Sequence, residues 1–248
     1  MSGRDPGAFY TRYAGLYDRI ATDAPFVSAL RERVIDALDP GRGDVVVEMG
    51  CGTGANLPYL RERVGQGGTV IGLDVSAGAI DRARSRVERH GWRNVHLARA
   101  DATHPPLGGV TNPGGVDGVL ATFLTGMLTD PAGAVDDWCR LATSGETPAT
   151  TTGGGSRICV AGLARSTHPA GRLLNPAFAA GVSLAAPPDR DRSRDVRRSR
   201  AGESPVARLD RRALAGHGRV HERCADASTT RSFAGFARIT AGTIDSTR

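Results

Sequence analysis

The sequence predicts an α/β fold built on a mainly parallel sheet. Two patterns carry that expectation. Short β-branched runs alternate with amphipathic helical stretches between residues 24 and 164. The first of those runs also ends in a glycine-rich turn, "EMGCGTGANL", Glu48 to Leu57, that leads straight into a helix. With 248 residues and 40% hydrophobic content the chain can bury one sizeable core.

Each element has its own signal. "FYTRYAGLYDRIA" puts Phe9, Tyr13, Leu16 and Ile20 on one helical face. "APFVSALRERVIDAL" reads as a second helix, ended by Asp39-Pro40-Gly41. "DVVVEMG" is a strand and Asn56–Val64 the helix after the glycine turn. "GGTVIGLDVS" is a second strand, and "SAGAIDRARSRVERHG" a helix that Ser76 can cap and Gly91 can end. "NVHLARADA" and "GVDGVLATFL" are strands three and four. "DPAGAVDDWCRLA" is a helix capped by Asp130 with Pro131 at its first position. "SRICVAGLA" is strand five, and "GRVHERC" and "FAGFARITAG" are two weaker strand candidates. "TSGETPATTTGGGS", residues 143–156, is a low-complexity surface loop.

The glycine turn raises the question of its ligand. Gly50, Gly52 and Gly54 allow a sharp turn and close backbone approach, and the following helix offers free N–H groups. A nicotinamide dinucleotide and S-adenosylmethionine both fit such a turn. The neighbours separate them. Glu48, at the strand end, would repel a pyrophosphate but suits a cationic sulfonium and an ammonium. Asp74, 20 residues past Gly54 and followed by Val75, can accept from ribose hydroxyls in either cofactor. Asp101 can accept an exocyclic adenine amine while Ala102 lines the ring pocket.

Glu48-x-Gly50-x-Gly52-x-Gly54, Asp74 and Asp101-Ala102, at the ends of successive strands, resemble class I S-adenosylmethionine-dependent methyltransferases over residues 9–165. More narrowly, "FYTRYAGLYDRIA" with "GVDGVLATFL" is similar to the ubiquinone/menaquinone methyltransferases and to phosphatidylethanolamine N-methyltransferase-like proteins. The resemblance implies a Rossmann-like, seven-stranded sheet with helices on both faces and one antiparallel strand near the edge. It implies an N-terminal helical lid over residues 1–40, a cofactor-binding core over 41–165 and a C-terminal part over 166–248. By the same resemblance Thr53 and the glycines hold the methionine end. Asp74 binds the ribose, Asp101 and Ala102 flank the adenine, and Thr122 lies beside the cofactor. Tyr17 belongs to the lid. The expected cofactor is S-adenosylmethionine, and the expected acceptor is a small molecule such as a quinone precursor or lipid-like amine. The family's Pro-Gly-Gly turn before strand five is replaced here by the Thr/Gly loop.

No catalytic residue is fixed by the sequence. His104 and His168 follow strands three and five, on the ligand-binding edge of open α/β sheets, and each is a candidate base. "RSTHPAGRLLNPAF" can cover a substrate, with Arg165 or Arg172 holding an acidic group. Two rivals stand beside the methyltransferase. An NAD-dependent oxidoreductase would use the Gly-x-Gly-x-x-Ala reading, yet the chain has no lysine for a Tyr-x-x-x-Lys centre. A basic binding protein would use the arginine-rich stretch between residues 185 and 215.

Charge is divided unevenly. Residues 1–150 hold 15 arginines against 18 acids, and residues 151–248 hold 17 against 8. The basic stretch lacks aromatic residues to stack on bases, which favours a solvated, disordered segment over a nucleic-acid arm. Contact with an anionic membrane surface is a second use for it. No apolar run reaches the roughly 20 residues of a bilayer span, and the N-terminus has no apolar signal region. Cys51, Cys139, Cys159 and Cys224 form no CxxC pair, so reduced thiols in a cytoplasmic protein, and no metal site, are expected.

Overall fold

The computed structural model describes residues 25–106, 115–143, 155–185, 204–245 and residue 247. Helix α1 is Pro25–Leu38, and strand β1 is Val45–Met49. Then come α2 (Leu57–Val64), β2 (Thr69–Asp74), α3 (Ala77–His90), β3 (Val95–Arg99) and β4 (Gly118–Thr122). Helix α4 (Pro131–Thr143), β5 (Arg157–Leu163), α5 (Pro169–Arg172), α6 (Asn175–Ala185) and α7 (Pro205–Arg223) follow. Strands β6 (Ser228–Ser232) and β7 (Ala237–Thr243) close the fold.

The seven strands lie in the order β3-β2-β1-β4-β5-β7-β6. All pairings are parallel except those of β7 with β5 and β6. The expected single antiparallel strand near the edge is therefore β7. Central strands are buried on both faces: β1 is buried at every position, as parallel strands covered by helices must be. Val45, Val47 and Met49 join Trp138 of α4 and Val220 of α7 in one core. Val46 faces the opposite core, with Leu30, Val34, Ile35 and Leu38 of α1 and Leu57 and Leu60 of α2.

Local chemistry sets the helix ends as expected. Ser76 Oγ accepts from Ala79 N at 3.3 Å, and Gly91 ends α3 in the left-handed region at φ 63°. Asp130 Oδ1 accepts from Gly133 N at 2.9 Å at the start of α4.

The C-terminal part corrects two expectations. "GRVHERC" is not a strand: it is the last turns of α7 and its C-cap, and the edge strand is "STTRS" instead. Residues 205–215, expected within the disordered basic stretch, form the first half of α7. Ser204 Oγ caps that helix by accepting from Ala207 N at 3.2 Å, with Pro205 at its first position. Val206, Asp210, Ala213, His217 and Val220 are buried at helical spacing. Only Val206 and Val220 of that stripe are large and aliphatic, and two of its members are ionisable, so it gives little apolar periodicity to read. Of the 1–40 lid, residues 25–38 are α1, packed on the sheet. Residues 1–24, with Tyr17, lie outside the described residues, as do 107–114, 144–154 and 186–203.

Candidate active site

The glycine turn has the backbone that its composition demands. Gly50, Gly52 and Gly54 all have left-handed φ, at 69°, 55° and 79°. A Cβ on Gly54 would sit 2.5 Å from Leu57 Cδ1, and one on Gly50 would sit 3.0 Å from Leu124 Cδ1. A Cβ on Gly52 would meet nothing within 4 Å among the described residues. Two of the glycines thus fit against protein, and the middle one fronts open space that a ligand can enter.

Beneath the turn is a buried polar cluster. Glu48 is 1% exposed. Its Oε1 accepts from Asn56 Nδ2 at 2.6 Å, and Asn56 Nδ2 also reaches Thr122 Oγ1 at 2.9 Å. Asn56 Oδ1 in turn accepts from Arg31 Nη1 at 2.6 Å. Glu48 Oε2 has no hydrogen-bond partner among the described residues. Burial pushes the Glu48 carboxyl up to about 7, opposed by the Asn56 hydrogen bond and the Arg31 charge and assisted by Asp74.

Asp74 links the turn to β2. Its Oδ2 accepts from Gly52 N at 2.9 Å and its Oδ1 from Ser76 N at 2.8 Å. Val75 beside it is 41% exposed. Asp101 accepts from Thr103 N at 2.9 Å and from Thr103 Oγ1 at 2.7 Å. Those bonds hold its carboxyl below the usual range. Ala102 is buried, and Trp138 Nε1 donates to its carbonyl at 2.6 Å. Thr53 is buried in the turn.

The structure thus joins Glu48 to Thr122 and Gly52 to Asp74 through short bonds, with Asp101-Ala102 at the end of the strand beside β2. The two histidines are not brought together. His104 is an exposed residue after β3, bonded through Nδ1 to Thr103 Oγ1 at 2.9 Å. His168 follows β5, four strands along the sheet. Arg165 is occupied: its backbone N and Nε both donate to Asp210. Sequence reasoning missed Arg31 and Asn56. Asn56, at the N-cap position of α2 and eight residues beyond Glu48, was a readable signal; Arg31 reaches the cluster only through the tertiary fold.

Comparison with known proteins agrees with this geometry. Residues 46–145 match a family described as a methyltransferase domain. That segment, which holds the glycine turn, is therefore similar to a methyltransferase domain. Aklanonic acid methyltransferase DauC of Streptomyces sp. (strain C5) is 31% identical to it over 126 residues, 51% of this chain and 54% of that protein. A phosphatidylethanolamine N-methyltransferase of Cereibacter sphaeroides is 34% identical over 105 residues, 42% and 48% of the two chains. The chain spans about half the length of these curated relatives. The fold of a SAM-dependent methyltransferase from Aquifex aeolicus matches with a TM-score of 0.58 at 15% identity, covering 96% of this chain and 98% of that one. The segment that resembles a methyltransferase domain includes the glycine turn that the oxidoreductase alternative also claimed.

Proposed function

We propose that the chain transfers the methyl group of S-adenosylmethionine to a small-molecule acceptor. The observation that carries this reading is the Glu48–Asn56–Thr122 cluster under the glycine turn. A carboxylate oxygen buried without a partner among the described residues invites a donor, and an ammonium group beside the turn would supply one. Gly52, open in front, leaves room for it.

In this reading Glu48, Gly50, Gly52, Thr53 and Gly54 hold the methionine end, and Thr122 lies beside it. Asp74 takes the ribose hydroxyls. Its oxygens already accept one backbone N–H each and have lone pairs to spare. Val75 and Ala102 flank the adenine, and Asp101 accepts its amine. Tyr17 is assigned to the lid by resemblance alone, and the division into lid, core and C-terminal part belongs to the same reading. S-adenosylmethionine supplies, when bound, a methyl group already activated by the sulfonium. The protein's share is then orientation and exclusion of water. Arg31 and Asn56 fix the Glu48 carboxyl, and Asp74 fixes the turn to β2. Transfer to carbon in an activated ring or to a neutral amine needs no protein base, whereas a hydroxyl acceptor needs one; for the first two the reading assigns no such role to His104 or His168.

The substrates in the relatives' names, aklanonic acid and phosphatidylethanolamine, support an acceptor drawn from small molecules. A cytoplasmic location belongs to the same reading and is supported by the four free, buried cysteines. Among the described residues no helix is long and apolar enough to cross a membrane.

Titration calorimetry with S-adenosylhomocysteine, S-adenosylmethionine and NAD on wild type and Asp74→Asn tests the proposal. The first two bind, NAD does not, and the variant binds at least roughly tenfold more weakly, the scale of a lost charge-assisted hydrogen bond. Binding of NAD alone would overturn it.

A further inference from the structure

The opposite end of the sheet holds an unbalanced group of cations. Arg238 of β7 is only 9% exposed, and its Nε has no hydrogen-bond partner among the described residues. The residue directly across the hairpin from it is Arg231 of β6. Like charges placed opposite each other on adjacent strands repel. The carboxylate that acts on Arg238 is Asp210 of α7, and both oxygens of Asp210 are already bonded to Arg165. Burial first, and then Arg231, hold the Arg238 guanidinium below the usual arginine range, with Asp210 pulling the other way. On the other face of the hairpin, Arg33 of α1 donates to Ser232 Oγ at 3.0 Å. A buried cation whose counter-charge is already shared is costly to keep, and a bound anion would offset that cost.

A cavity of about 510 Å³ opens beside this group. Its walls include Thr167, His168, Arg231, Ser232 and Phe233. It lies at the C-terminal edge of the parallel strands, because Leu163 at the end of β5 pairs with Ala237, which also pairs with Ser232 at the end of β6. That is the edge that carries the glycine turn. The hairpin forming one wall is held in a strained shape: Phe233, Ala234 and Gly235 all have left-handed φ, at 52°, 51° and 90°. Each of the two non-glycine residues costs about 1–2 kcal/mol in that region. Ser166 Oγ donates to the Ala234 carbonyl, and Gly171 comes so close that a Cβ there would collide with that oxygen. Such strain persists where surroundings enforce it, and it collects at ligand sites.

We infer that the acceptor carries an oxyanion, a carboxylate or phosphate group, which docks in this cavity on Arg231 and His168, with the charge of Arg238 behind them. The inference rests on the methyltransferase reading for the identity of the ligand as acceptor. Guanidinium groups are suited to both anions because their N–H pairs match two oxygens at once. Phe233, 40% exposed, offers an apolar face for the body of the acceptor. Strand β4, which ends at Thr122, lies two to three strands from the hairpin, or roughly 10–14 Å at the usual strand spacing. The acceptor therefore holds its anionic group the length of a small fused-ring body away from the atom that is methylated.

Calorimetry on the full chain tests this with two probes, inorganic pyrophosphate and 2-naphthoate, alongside S-adenosylhomocysteine. At least one probe binds saturably to wild type, and a preference between the two identifies phosphate or carboxylate as the anion. Arg231→Gln, at an exposed position, weakens that binding roughly tenfold or more and leaves S-adenosylhomocysteine affinity unchanged. Arg238→Gln weakens probe binding by a smaller factor while raising the unfolding temperature, because a poorly compensated buried charge is removed. The inference is overturned if neither probe binds, or if both variants bind as wild type does. Probe binding without S-adenosylhomocysteine binding would sink the methyltransferase reading and keep the anion site; the reverse result would sink the anion site alone.

Discussion

Glu48 and His217 are both buried and ionisable, and the fold shifts them in opposite directions. Glu48 stands under the glycine turn, with one oxygen on Asn56 and the other without a partner among the described residues. His217 stands on α7, with Nδ1 against Thr240 Oγ1 at 2.8 Å and Nε2 likewise without a partner among the described residues. Burial lifts the Glu48 carboxyl to about 7 and lowers the His217 imidazole to about 4. Arg238 and His221 add to the second shift, while Arg31 opposes the first. Both groups therefore favour neutrality, one by holding a proton and the other by shedding it. One physical cause, desolvation, thus produces a ligand-ready acid under the turn and a silent base on α7.

The largest expected break in this symmetry comes from the glycine turn itself. Gly54→Ala places a Cβ 2.5 Å from Leu57 Cδ1 and 3.2 Å from Ala83 Cβ, at a φ of 79°. Left-handed strain of about 1–2 kcal/mol and overpacking of about 1–3 kcal/mol combine to roughly 2–5 kcal/mol. Urea unfolding should show that loss, together with the loss of S-adenosylhomocysteine binding. An unchanged midpoint would mean that the turn can relax and that its three left-handed glycines are not required by packing.

The pH dependence of stability is the sharper test, because the two shifts oppose each other. The folded His217 stays neutral down to about pH 4, whereas the unfolded residue titrates near 6.5. Its contribution is complete above 6.5 and is lost as pH falls toward 4. The folded Glu48 keeps its proton until about pH 7, against an unfolded value of 4.5. Its contribution is complete below 4.5 and is lost as pH rises toward 7. Each shift corresponds to about 3 kcal/mol, and the windows nearly coincide. Wild-type stability should be nearly flat from pH 4.5 to 6.5 as far as these groups decide it. His217→Asn should unmask the Glu48 slope, with stability falling as pH rises. Denaturant titrations at several pH values would read it. An unchanged profile in the variant would remove His217 from the account.

How far this contrast could be read in the sequence follows from the range of its bonds. The cofactor half was legible because its signals are local. Ser76 caps α3 three residues ahead, Asp74 follows Gly54 by a helix and a strand, and Gly50 to Gly54 are the residue type that their left-handed φ requires. The C-terminal half is tied by contacts across long separations: Arg165 to Asp210 over 45 residues, and His217 to Thr240 over 23. Nothing in "GRVHERC" signals that Thr229 bridges Thr240 to His221, at 2.7 and 2.8 Å. The helix was hidden because its buried stripe is partly polar, so its arginines outweighed its periodicity.

The smallest expected effect on stability separates function from folding at Glu48. Glu48→Gln keeps an oxygen for Asn56 and removes the carboxylate that burial disfavours above pH 7. The variant should be more stable than wild type at pH 8, by about 1–2 kcal/mol, which is less than the full shift because an amide must also be desolvated. It should also leave the His217 slope exposed, with stability rising between pH 4 and 6.5. Binding of cationic S-adenosylmethionine should weaken more than binding of neutral-sulfur S-adenosylhomocysteine, because the change removes a negative charge near the sulfonium. A site residue retained at the expense of stability gives this pair of results, whereas a purely structural glutamate gives neither. If Glu48→Gln is less stable at pH 8 and discriminates no differently between the two ligands, the carboxylate serves the fold and the cofactor contact lies elsewhere in the turn.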